Sequence, residues 1–459
     1  MNLFDVVNGK TNEALTNNGG LTNASSLDAN LDFFFAAGSS RGKDISDLFL
    51  KAMSANEDVA LRTLLWLRDV RGGAGERQTF RDLSKLVLCK GVFEKTPEVG
   101  RWDDLLVHVG TVAEEYAFSV IKKALAEGNG LCAKWMPRKG DVANKLRKFL
   151  GLTPKEYRKL LVNLSNTVEQ KMCAKQWNEI DFGKVPSVAA ARYQKAFSRN
   201  AKEAYEAYKE DLTKGEAKIN AGAVYPYDVL KSLEQGDCDV AQAQWNALPN
   251  YLEGSTERFL PVVDVSGSMQ NPVPNTTLSC MDVAVSLGLY ISERNEGVFK
   301  DVMMTFHSSP QLFKVCGSLT ERNAATRQLP WGGSTNLSAV FSTLLGAAVQ
   351  NEVPESEMPT SIIIVSDMEF NTAFQDSHRV SSYEDAKMQY AAAGYKLPKI
   401  VFWTVNARQG NVPVKSTDED TALVSGFSPA ILKSVLKGGM NPVQVMLDTV
   451  MQDRYNVNI

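Results

Sequence analysis

Histidine is almost missing from this chain: 459 residues hold only three, His108, His307 and His378, each far from the others. That scarcity removes the parts for a histidine-rich metal site or a Ser-His-Asp hydrolase. Cysteine adds little. The six cysteines, Cys89, Cys132, Cys173, Cys238, Cys280 and Cys316, form no CxxC pair, which excludes the usual zinc and dithiol motifs and suits reduced thiols in a cytoplasmic protein. No apolar run approaches the roughly 18 residues that a membrane span needs, and the N-terminus lacks the basic-then-apolar layout of a signal peptide. A soluble, unexported chain with no membrane partner is therefore expected. Neither a GxxxxGK[ST] loop nor a GxGxxG turn is present. With no positioned base or nucleophile either, the expectation is a binding protein and not an enzyme.

What is present divides the chain in two. The length exceeds a usual single core, and 44% hydrophobic with 22% charged residues is ordinary globular composition. The net charge of −3 hides a basic stretch, because residues 51–200 hold 27 Lys and Arg against 17 Asp and Glu. Such an excess fits either a polyanion-binding face or a solvated helical surface. Residues 1–44, rich in Asn, Gly, Ser and Thr, read as a loosely ordered arm with a short helix near Leu3 to Val7. Residues 45–224 carry helical spacing in short segments without a fixed repeat, which predicts an all-α solenoid or irregular bundle. Residues 225–257 read as a connector.

From residue 258 to 459 strands alternate with helices, which predicts an α/β domain with a mostly parallel sheet. Strands are expected at Phe259–Asp264, Val302–Phe306, Gln311–Val315, Ser361–Asp367, Ile400–Val405 and Ala422–Gly426. Sheets of this kind gather their ligands at the carboxyl ends of the strands. Three sequence elements meet that rule: Asp264-Val265-Ser266-Gly267-Ser268 after the first strand, Trp331 to Asn336 before a helix, and Asp367 at the end of another strand. Together they offer carboxylates and hydroxyls, the hard donors that suit Mg²⁺ or Mn²⁺. The alternative is a set of turn caps, since Ser and Asp bond backbone N–H groups at such places anyway. His307 and Glu369, near the same edge, read as loop residues.

DVSGSM, GGSTN and IIIVSDMEF in this order resemble the metal-ion-dependent adhesion site of von Willebrand factor A domains. The resemblance covers about residues 258–459 and implies a Rossmann-like A domain. It implies Asp264, Ser266, Ser268, Thr335 and Asp367 as the metal set, with Ser334 as the alternative to Thr335 on the second loop. A site with so little protein charge leaves the ion electrophilic and favours an incoming carboxylate or phosphate as a further ligand.

The helical half is similar to the Ro ribonucleoprotein plan, in which a TROVE module of HEAT-like helices precedes an A domain. That similarity rests on Arg68 to Arg77 (RDVRGGAGER), Lys134-Trp135-Met136-Pro137-Arg138-Lys139, and Pro186 to Tyr193. It is closer still to an uncharacterised group of bacterial, phage and plant proteins with this layout. The resemblance implies a scaffold or quality-control factor for structured or single-stranded noncoding RNA, with Lys134, Arg138, Lys139, Arg147, Lys148 and Arg192 as candidate contacts. Arg68, Arg71 and Arg77 serve either RNA or the helix ends, and Trp66, Trp102 and Trp135 either stack bases or fill the core. The rival reading is a metal-dependent protein-interaction module without RNA, including a phage virion or assembly component.

Overall fold

The computed structural model describes residues 12–235, 238–274, 276–306, 309–330, 335–371, 382–406, 408–436 and 440–457. They form two compact units. One gathers the residues up to Ala60, Tyr225–Leu230 and Pro249–Met451; the other gathers Leu61–Val224, Lys231–Leu248 and the residues from Gln452. No helix among the described residues is long and apolar enough to cross a membrane.

The first unit opens with β1 (Glu13–Leu15) and β2 (Leu21–Asn23), paired antiparallel. Its main sheet has six strands: β3 (Phe259–Asp264), β4 (Val302–Phe306), β5 (Gln311–Lys314), β6 (Ser361–Ser366), β7 (Lys399–Thr404) and β8 (Thr421–Ser425). They lie in the order β5-β4-β3-β6-β7-β8, all parallel except β5. Every residue of β3 and of β6 is buried, as expected of strands covered by helices on both faces. Helix Cys280–Arg294 lies so close to β3 that a Cβ on Gly288 would stand 2.5 Å from Val263 Cγ2. From β3 the chain runs outward to β4 on one side, while β6 to β8 continue on the other. The carboxyl ends of β3 and β6 therefore form the topological switch point.

The loosely ordered arm expected over residues 1–44 is a folded part of this unit from residue 12 onward; the short helix expected at residues 3–7 lies outside the described residues. Helix Ala29–Ala37, capped by Asp28 accepting from Leu31 N, buries Phe33, Phe34 and Phe35. It packs on β8, where Ser425 Oγ accepts from Gly38 N at 3.0 Å and donates to Phe34 O at 3.1 Å. A helix that is apolar all round has no amphipathic stripe, which is why helical spacing did not reveal it. The expected connector, 225–257, is largely two helices, Pro226–Gln235 and Cys238–Asn246.

The second unit is built from short helices. Helix Pro154–Leu164 shows why such segments hold: Thr153 and Glu156 form a reciprocal capping box and Pro154 occupies the first turn. One core gathers Phe93, Leu105, Phe118, Ile121, Leu146 and Leu161; a second gathers Phe182, Phe197, Tyr205 and Val240. Trp66 is fully buried, and Trp102 and Trp135 are partly buried against the first core.

His108 also belongs to that first region, with its ring edge-on to Phe93 at 4.7 Å. Burial, helped by the Lys85 ammonium, pushes its imidazole down from 6.5 to about 4. The folded unit therefore holds the neutral ring while the unfolded chain takes up a proton first. Stability from this residue is full above pH 6.5 and is lost as pH falls towards 4. We expect the melting temperature of His108→Phe to fall less than that of the wild type between neutral and mildly acidic pH; parallel declines would rule this out.

Candidate metal centre

β3 ends on Asp264, and the turn that follows is built around it. Asp264 Oδ1 accepts from Ser266 N at 2.9 Å, and Oδ2 accepts from Ser366 Oγ at 2.6 Å. The first bond curls the chain back over the strand end and brings Ser266 Oγ within 3.2 Å of Ser268 Oγ. Asp264 and Ser266 are buried, and Ser268 is partly exposed. The turn thus presents a line of oxygens from the interior to the surface.

Thr335 is buried just ahead of helix Leu337–Gln350, whose N-terminus Asn336 caps by accepting from Ala339 N. Its neighbour Ser334, like His307, lies outside the described residues. The second loop is tied to the third by Asn371 N donating to Thr335 O at 2.8 Å. On that third loop Asp367 follows β6 directly. Its Oδ1 accepts from Glu369 N at 3.2 Å, while its Oδ2 is buried with no hydrogen-bond partner. Burial and the nearby Asp367 carboxylate together push the Asp264 carboxyl up to about 7.

This pattern fits a hard cation. Two buried acids repel each other and one carries an orphaned oxygen, while the Lys43 ammonium within electrostatic range of Asp367 leaves that oxygen unbonded. Asp264, Ser266, Ser268, Thr335 and Asp367 could hold such an ion with water in its remaining positions. No group of three or more Asp, Glu, His or Cys suited to a metal occurs among the described residues, and this donor set, three hydroxyls and two carboxylates, would not form one.

Glu369 is no solvated loop acid. It is 3% exposed, and its carboxylate accepts from Asn17 N at 2.6 Å and Asn411 Nδ2 at 3.2 Å and forms an ion pair with Arg408 Nε at 3.1 Å. The β1–β2 turn clamps the same loop: Asn18 Nδ2 donates to Glu369 O at 2.6 Å and Thr16 Oγ1 to Phe370 O at 2.5 Å. Only glycine fits at position 20, where a Cβ would stand 2.4 Å from Phe370 O. Sequence reasoning missed this support, because no local pattern joins Asn17 to Glu369 across 352 positions. Glu369→Ala removes the acceptor of Asn17 N and the ion-pair partner of Arg408 and leaves Asn411 Nδ2 on Met368 O alone, a loss of about 1–3 kcal/mol. Its melting temperature should fall by several degrees in thermal denaturation, and a change within a degree would contradict the clamp.

Of the candidate RNA contacts, Arg138, Lys139, Lys148 and Arg192 are exposed. Lys134 is half-buried, paired with Glu169 at 3.3 Å and 5.5 Å over the Trp135 ring. Arg147 donates to Leu152 O at 2.8 Å and so closes the end of its own helix. Five of these cations lie within residues 134–148, whereas Arg192 stands on helix Ser187–Asn200, which packs into the second core.

The RDVRGGAGER stretch does mainly structural work. Arg68 pairs with Asp104 at 2.7 Å with both side chains buried, and Glu76 Oε1 accepts from the N–H groups of Gln78 and Thr79 that open the next helix. Gly73 is required, since a Cβ there would lie 2.0 Å from Trp66 O. Arg71 and Arg77 are exposed.

Residues 259–456 match the family described as "Domain of unknown function (DUF7788)", and residues 120–257 match "Domain of unknown function (DUF2828)". The chain is also similar to "Uncharacterized protein L728" of Acanthamoeba polyphaga mimivirus. The two are 29% identical over 504 residues, covering 95% of this chain and 87% of that protein. The change from one family match to the other falls where β3 begins, at the same place as the change from helices to sheet.

Proposed function

We propose that the sheet unit is a von Willebrand factor A-like module. It binds one Mg²⁺ or Mn²⁺ through Asp264, Ser266, Ser268, Thr335 and Asp367 and uses it to capture an acidic group on a partner. The observation that carries this reading is the buried Asp367 Oδ2 without a partner, opposite an Asp264 carboxyl pushed up to about 7. Such an ion supplies an electrophilic position for an oxygen ligand, because hydroxyls leave most of its charge uncancelled. The chain's own part is to preorganise the oxygens. Ser366 and the Ser266 amide aim Asp264, the Glu369 amide aims Asp367, and the β1–β2 turn holds that loop in place. The role is binding and not catalysis.

Calorimetric titration of the full chain with Mg²⁺ and Mn²⁺ is expected to give one saturable site, absent in Asp264→Ala. No heat and no gain in melting temperature at millimolar concentrations of either ion would overturn the reading.

A second reading makes the helical unit a HEAT-like, TROVE-like scaffold for noncoding RNA. The exposure of Arg138, Lys139 and Lys148 within a basic stretch supports it. If these residues touch phosphates, a double Arg138→Ala, Lys139→Ala variant should weaken binding to structured and single-stranded RNA alike and lower the salt slope by about 2. Unchanged affinity across a salt series would remove this reading.

A further inference from the structure

Three arginines converge on two adjacent aspartates in the helical unit, a fourth precedes one of them by a single helical turn, and the aspartates are fully used. Asp103 accepts from Arg101 Nε at 2.8 Å and Nη2 at 2.5 Å, and from Arg81 Nη2 at 2.9 Å. Asp104 accepts from Arg81 Nε at 2.7 Å, Arg68 Nε at 2.7 Å and the Arg101 backbone N at 2.9 Å. Three donors on each carboxylate leave little acceptor capacity for a fourth guanidinium. Arg77 is that fourth group. Its backbone O accepts from Arg81 N at 3.0 Å, which sets it one turn before Arg81 on the same helix face; although exposed, it is held below the usual arginine range first by partial burial and then by the guanidiniums of Arg101, Arg81 and Arg68, against the single carboxylate of Asp103.

The cluster is also rigid. Arg68 and Asp104 are buried, and Arg101 lies 3.8 Å over the Trp135 ring, so its plane is fixed by stacking as well as by a two-pronged ion pair. Arg81 and Arg101 remain 19% and 29% exposed, with N–H groups beyond those already bonded to the aspartates. Positive charge is therefore held at the surface in excess of its local counterions, by partners that cannot move to neutralise it. Folding places like charges together at a cost, and an external oxyanion relieves it.

We propose that Arg77, with the outward edges of Arg81 and Arg101, is a phosphate-binding site, taking either a free di- or polyphosphate or a backbone phosphate of single-stranded nucleic acid. The planar fork of a guanidinium matches two phosphate oxygens, and three such groups around one oxyanion give both charge and geometry. The site needs neither the metal centre nor the Arg138–Lys139 surface.

The experiment uses the full chain and two probes, inorganic pyrophosphate and a single-stranded oligouridylate, with Arg77→Gln and Arg199→Gln as variants. Arg199 is an exposed arginine on helix Ser187–Asn200 and lowers the net charge equally when replaced. Arg77→Gln should weaken pyrophosphate binding about ten- to a hundredfold, and Arg199→Gln less than about twofold. If the natural source is nucleic acid, the oligonucleotide also binds, and Arg77→Gln lowers its salt slope by about 1. If the source is a free anion, only pyrophosphate binds. The Arg77 side chain has no hydrogen bond among the described residues to lose, so its variant should melt at or above the wild-type temperature. Failure of the wild type to bind either probe, or equal losses in the two variants, would overturn the proposal.

Discussion

Asp69→Ala is expected to destabilise the helical unit by about 3–5 kcal/mol, the range for removing one partner from a buried charge network. Asp69 is fully buried and ties Arg454 and Tyr455 to the turn that follows helix Glu57–Arg68. Its Oδ2 accepts from Arg454 Nε at 2.5 Å and from the Tyr455 hydroxyl at 2.9 Å, and its Oδ1 from Arg454 Nη2 at 2.8 Å and Arg71 N at 3.0 Å. Tyr455 is 1% exposed, so its hydroxyl has no solvent to turn to once the carboxylate is gone. Burial and the Asp69 charge hold that phenol far above its ordinary range, which keeps it a donor at every accessible pH. Arg454 is 37% exposed and regains water, so most of the loss comes from Tyr455 and the Arg71 amide. Asp69→Asn keeps an acceptor and should lose about half as much. Tyr455→Phe removes one hydroxyl and its partner's bond and should cost about 1–2 kcal/mol. Urea denaturation followed by tryptophan fluorescence reads all three. An Asp69→Ala midpoint close to that of Tyr455→Phe would mean that the carboxylate network adds nothing beyond one hydroxyl.

The same residue shows where sequence reading stops. Asp69 sits in a stretch that invites a functional reading, and its partners lie 385 and 386 positions away, beyond any local pattern. Arg68, Arg81 and Arg101 are likewise unreadable until Asp103 and Asp104 are seen to saturate. Local signals fare better. β3 and β4 run over their expected residues, because a strand covered on both faces is a continuous apolar run, and the helix expected after Asn336 starts at Leu337, marked by its cap. The ligand candidates Asp264, Ser266 and Ser268 were legible for a related reason: alternate positions in a tight turn converge by covalent geometry alone. Thr335 and Asp367 needed only the rule that strand ends in a parallel sheet share one edge. What the rule does not convey is how that edge is held. Glu369, Arg408, Asn411 and the β1–β2 turn are ordinary loop residues in sequence and become the support of the third loop only through tertiary contacts. The segment ANLDFFFAA misleads in the opposite direction, since a helix buried on every side carries no stripe to distinguish it from a tangle of loops.

Asp367→Asn should stabilise the cation-free protein and at the same time abolish its response to Mg²⁺. In the absence of an ion, Asp367 carries a buried oxygen with no partner beside a second buried acid, an arrangement that stability alone would not select. Asparagine retains the oxygen that accepts from Glu369 N, so the loop keeps its shape, and it removes the charge that opposes Asp264. The relief should amount to about 1–2 kcal/mol, the usual gain when strain at a functional site is released. In the wild type, Mg²⁺ at a hundred times its Kd should add about 2.7 kcal/mol through preferential binding to the folded state. The variant, short of one anionic ligand, should add almost nothing. The two melting temperatures plotted against Mg²⁺ concentration therefore cross, with the variant higher in EDTA and the wild type higher in saturating ion. That crossing separates a metal centre from a set of turn caps. If Asp264 and Asp367 only capped backbone N–H groups, Asp367→Asn would weaken a charged hydrogen bond, lower stability in EDTA, and leave two curves that never meet.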